Sequence, residues 1–66
     1  MRLIITKHAQ ERMDLNGISE EQIKITIQRG ARIPQTEGFL AIYTYIRVAY
    51  KICNDKYVVK TVMIEK

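Results

Sequence analysis

The string His8-Ala9-Gln10-Glu11-Arg12-Met13 places the chain's single imidazole four residues before a guanidinium. On a helix that spacing stacks the two side chains on one strip. An imidazole exchanges a proton near neutral pH, and a guanidinium, always charged, holds a phosphate through two parallel hydrogen bonds. Metal-free cleavage of RNA asks for that combination. One group deprotonates the 2′-hydroxyl, and the other stabilises the charge that builds on the phosphate oxygens. The same spacing also suits a structural pair, with His8 donating to a main-chain carbonyl and Arg12 clamping a loop or strand end. On a wheel at about 100° per residue, Lys7, Gln10, Glu11 and Asp14 fill one arc. His8 and Arg12 fall outside it, among Leu15, Ala9 and Met13, so the pair is expected to face inward.

No other chemistry is spelled out. A lone cysteine, Cys53, allows no intramolecular disulfide, and one Cys with one His is no zinc set. Cys53 reads as a small apolar filler in a reducing cytoplasm. There is no Gly-rich phosphate loop, carboxylate dyad or Ser/His/Asp set, so neither a metal nor a cofactor is expected. Eleven Lys and Arg against seven Asp and Glu leave a net charge of +4, which favours an anionic partner such as RNA. No apolar run approaches the ~18 residues that span a membrane, and the start lacks a signal-peptide core. The expectation is a cytoplasmic protein of one domain, residues 1–66. A chain this short buries only about 60% of the surface its unfolded form exposes, so oligomerisation, for instance as a homodimer, would help it.

The elements that must carry these residues are marked by caps and turns. Arg2 to Ile5 is a short β-like start. Thr6 is an N-cap for a helix from Lys7 to about Leu15, which Asn16-Gly17 ends. Ser19 and Gln22 form a capping box, Ile18 and Ile23 a hydrophobic staple, and Gly30 closes the second helix. Ile25 falls off its apolar stripe, which hints at a second contact surface. The pattern then changes to strands: Ala31–Thr36, an edge strand or loop because of Pro34, then Phe39–Ile46, Arg47–Cys53 and Tyr57–Ile64. The fold expected is α+β, two N-terminal helices packed on one face of a three- to four-stranded antiparallel sheet.

A two-residue turn at Asn54-Asp55 sets a register, with Cys53 opposite Lys56, Tyr50 opposite Val59 and Val48 opposite Thr61. One face then carries Val48, Tyr50, Val59, Thr61 and Met63 toward the helices. The other carries Arg47, Lys51 and Lys60 among Ala49, Val58 and Val62. Extended by Arg32, those cations form a basic patch that could track an RNA backbone, or simply a solvated face.

Thr6-Lys7-His8-Ala9-x-x-Arg12-Met13, then Gly17-Ile18-Ser19 opening a second helix, then Gly30 and strands ending Lys60-Thr61-Val62, resembles a small family of unknown function known for its HAxxRM helix. That family is grouped with the barnase, EndoU, colicin and RelE-like ribonucleases, several of them toxins. The resemblance implies a RelE/barnase-like fold, RNase activity and an antitoxin-like protein inhibitor. It also implies a functional set made of the motif His and Arg and the Thr of the last strand, here His8, Arg12 and Thr61. Members often carry Arg before the Gly, where this chain has Asn16. The first expectation is therefore a metal-independent ribonuclease of the toxin type. The alternative is a non-catalytic RNA- or protein-binding module in which the motif helix is structural.

Overall fold

Each helix begins where a hydroxyl can cap it. A computed structural model describes residues 1–65. Seven elements follow in chain order: β1 (Arg2–Ile5), α1 (Lys7–Asn16), α2 (Glu20–Arg29), β2 (Ala31–Gln35), β3 (Gly38–Tyr43), β4 (Ile46–Cys53) and β5 (Lys56–Ile64). Thr6 caps α1, and Gly17 ends it in the left-handed region at φ 67°. The Gly17 N–H donates to Met13 O, and the Ile18 N–H donates back to the same carbonyl at 2.9 Å. Ser19 and Gln22 complete the capping box of α2, and the staple residues Ile18 and Ile23 are both in the core.

The sheet corrects the expected fold. It has five strands, not three or four, in the order β1-β5-β4-β3-β2, and it is mixed rather than antiparallel. β1 runs parallel to β5, with Leu3 opposite Tyr57 and Ile5 opposite Val59. The other pairs are antiparallel. Local patterning shows a short extended start at Arg2–Ile5. It does not show that this start returns beside a strand more than fifty residues later, because nothing local encodes a non-local pairing. The β3–β4 connection was hidden for a different reason. Thr44 and Tyr45 turn the chain with Thr44 at φ 55°, although both residue types favour strands, so the stretch reads as one strand through Ile46.

A second correction lies in β5. Tyr50 stands opposite Val59 as expected, but Ala49 stands opposite Thr61 and Val48 opposite Val62. Lys60 is the extra residue of a β-bulge, and beyond it every side chain exchanges faces. Val62 and Ile64 therefore join the core beside Val48 and Ile46. Thr61 and Met63, expected toward the helices, turn to the opposite face. The core consists of Ala9, Met13, Ile18 and Ile23 from the helical half and Ala41, Ile46, Val48, Tyr50, Val59 and Val62 from the sheet. Tyr50 lies between Phe39 and Tyr57, with ring centroids 5.7 and 5.8 Å away.

The bulge makes a testable distinction between neighbours. Val62→Ala removes two buried methyl groups and should cost about 2 kcal/mol, whereas Thr61→Ala should stay within about 0.5 kcal/mol in urea unfolding. Equal losses, or a larger loss at Thr61, would return Thr61 to the core side.

Candidate functional site

The motif helix is fastened to the sheet by its cap. The Thr6 hydroxyl accepts from the Ala9 N–H at 3.1 Å. It also donates to Val59 O at 3.0 Å, with Lys60 O a further 3.4 Å contact. The Thr6 N–H reaches the same Val59 carbonyl at 3.3 Å. One side chain thus caps α1 and pins it where β5 begins to bulge. Ala9, fully buried, and Met13 then form the strip that α1 lays on the sheet. The sequence marks Thr6 as a cap. Its bond across the chain carries no local signal.

His8 and Arg12 are not turned inward as a pair. His8 is exposed and Arg12 is half-buried. The inward reading took Leu15 as one apolar margin of the buried arc, yet Leu15 is 73% exposed. The true strip is narrow. With its centre between Ala9 and Met13, Arg12 lies about 80° and His8 about 120° away around the helix. Among the described residues neither side chain has a hydrogen-bond or ion-pair partner. The one bond to Arg12 is to its main-chain carbonyl, which accepts from Asn16 Nδ2 at 2.9 Å. Asn16 thereby adds a side-chain bond to a carbonyl at the helix end. The structural clamp is therefore not made, and no buried side-chain nitrogen or oxygen among the described residues is left waiting for one.

Thr61 does not join the pair. It stands opposite Ala49, on the sheet face away from the helices. The nucleic-acid candidates also divide. Arg47, Lys51 and Lys60 occupy that outer face, with Lys60 Nζ donating to Glu37 O at 2.8 Å and Arg47 Nε 2.9 Å from Glu65. Arg32, opposite the core residue Ala41, is on the helix side instead, with its guanidinium 5.0 Å from the centre of the Phe39 ring. Arg2 and Lys56, opposite one another on β1 and β5, belong to the outer face and were missed. Their alternation with the core-facing Leu3, Ile5, Tyr57 and Val59 was the available signal.

Other features take their places around this. Cys53, expected as a core filler, is exposed. Ile25 is half-buried and lines a cavity of about 210 Å³ with Gln22, Tyr43, Thr44, Tyr45 and Ile46, away from the motif helix. Among the described residues no three of His, Cys, Asp or Glu gather as a metal set, and no helix is long and apolar enough to cross a membrane.

Because Thr6 both caps and anchors α1, Thr6→Ala should destabilise the chain by roughly 1–2 kcal/mol in urea unfolding, and Thr6→Ser should recover most of the loss. An alanine variant as stable as the parent would show that the anchor contributes nothing.

The chain matches no curated protein and no solved structure. It does match, over residues 5–64, the family described as Domain of unknown function (DUF4258). The matched span opens one residue before the Thr6 anchor and closes on the last residue of β5, so it takes in the motif helix and the bulged strand that holds it. This chain is a member of the DUF4258 family.

Proposed function

We propose that the protein is a metal-independent ribonuclease whose working pair is His8 and Arg12. One observation carries the reading. Other marked residues of the matched string have a task inside the fold: Thr6 caps and anchors, Ala9 and Met13 pack, Asn16 ends the helix. His8 and Arg12 have none among the described residues, and they stand one turn apart, His8 exposed and Arg12 half-buried, on a helix fixed at its start. Side chains four apart on a helix sit about 5–6 Å from each other at Cβ, which lets both reach one phosphodiester.

In this reading His8 takes the proton from the 2′-hydroxyl and the 2′-oxygen bonds to phosphorus. The bond from phosphorus to the 5′-oxygen breaks, and the departing oxygen takes a proton from solvent. The products are a 2′,3′-cyclic phosphate and a free 5′-hydroxyl. Arg12 neutralises the charge on the non-bridging oxygens as it grows. Thr61 has no part in it, since it faces the other side of the sheet.

A second reading, a binding module without catalysis, is favoured by the cations Arg47, Lys51 and Lys60 gathered on the outer sheet face. In that case RNA would be retained intact, with affinity falling steeply as salt rises.

The assay is cleavage of a labelled single-stranded RNA in the presence of EDTA, scoring cyclic-phosphate ends. His8→Ala and Arg12→Ala should each lower the rate by about a hundredfold or more while shifting stability by less than about 0.5 kcal/mol, since neither side chain has a partner to lose. RNA left intact by the parent protein, or cleavage that survives His8→Ala, would refute the ribonuclease.

A further inference from the structure

The two helices cover one face of the sheet, and the opposite face carries none of the core residues of the helical half. Its residues follow from the register. Ile33, Leu40 and Ile42 form an apolar strip over β2 and β3. Beside it, along β4 and β5, run Arg47, Lys51, Lys56 and Lys60, with Arg2 next to Lys56 on β1. Among the described residues, five cations and one acid, Glu65, belong to this face. Among the described residues this face thus holds an excess of four positive charges. Ile33 is 45% exposed and Met63 37%.

From this arrangement we propose that the outer sheet face docks an acidic amphipathic helix of a partner protein. Strands are ~4.8 Å apart and a helix with its side chains is ~10 Å wide, so one helix laid along the strands spans about two of them. Its apolar stripe would cover Ile33, Leu40 and Ile42. Its Glu and Asp margin would then lie over Lys51, Lys56 and Arg47 on the neighbouring strands. An apolar centre with a charged border is how protein interfaces are built.

Two other occupants fit the same face less well. A second copy would bring five cations against five, and like charges set against each other cost binding energy. Single-stranded RNA on a sheet stacks its bases on aromatic rings. This face presents none, because Phe39, Tyr50 and Tyr57 all point to the helix side. An apolar strip also offers nothing to a phosphate backbone.

The proposal is independent of the His8–Arg12 chemistry, and its test keeps the two apart. The probe is a fluorescein-labelled synthetic helix of about 20 residues, with Leu at helical spacing and Glu on its flanks. It is titrated with the full chain alongside the same peptide carrying Lys for Glu and an oligouridylate of about 16 nucleotides. The acidic peptide should bind and the basic one should not. Lys51→Glu with Lys56→Glu, and separately Ile33→Asn, should weaken binding at least about tenfold with the circular dichroism spectrum unchanged. His8→Ala should leave it unaltered. The proposal is overturned if the acidic peptide does not bind, if it binds equally well to the sheet-face variants, or if the oligouridylate is the probe whose binding those variants remove.

Discussion

One extra residue in the last strand governs how the two halves of the molecule meet. Up to Val59, β5 alternates as the hairpin turn at Asn54-Asp55 dictates. At Lys60 the ladder admits a residue with no partner of its own, and the alternation restarts one step later. The step lets Val59 and Val62, three apart, both enter the core. Just before it, the Val59 carbonyl takes the Thr6 N–H and hydroxyl, so the motif helix is attached where the strand changes phase. A bulge bends and twists its strand locally, which suits a point at which a helix must be seated and a short parallel strand, β1, must run alongside.

That seating explains the division of labour in the motif. Ala9 is fully buried in the strip that α1 lays on the sheet. Met13, one turn on, fills the space below. These two use up the contact strip. The positions one quarter to one third of the way around the helix are left at its margin, in reach of solvent yet on a backbone held at both ends, by Thr6 at the start and by Gly17 and Asn16 at the finish. A side chain mounted there is positioned without being enclosed, which is what a group that must meet a ligand needs.

Much of this was legible from residue types. The caps, the staple, the Asn54-Asp55 turn and the edge strand with Pro34 each have a local cause, and each appears where its cause lies. The misreadings share a different origin. The pairing of β1 with β5 is non-local, the bulge at Lys60 depends on which of two valines the core accepts, and Thr44 turns the chain in spite of its residue type. The wheel for α1 had the right angles and the wrong margin, because Leu15 is apolar by type and exposed by position. Thr61 left the candidate set through the bulge alone. The charge of the outer face was visible as alternation within single strands, but its gathering on one surface needed the strand order.

The account rests on His8 and Arg12 being kept for a partner outside the chain. The chain has a single histidine, so its ring resonances are unambiguous in a nuclear magnetic resonance titration with a 2′-deoxy-substituted dinucleotide, which carries the phosphodiester but cannot be cut. The account predicts that the imidazole signals move to saturation, and that Arg12→Ala abolishes the movement while the core methyl signals keep their positions. Imidazole signals that stay fixed while the dinucleotide perturbs other residues, or that move equally well without Arg12, would contradict it.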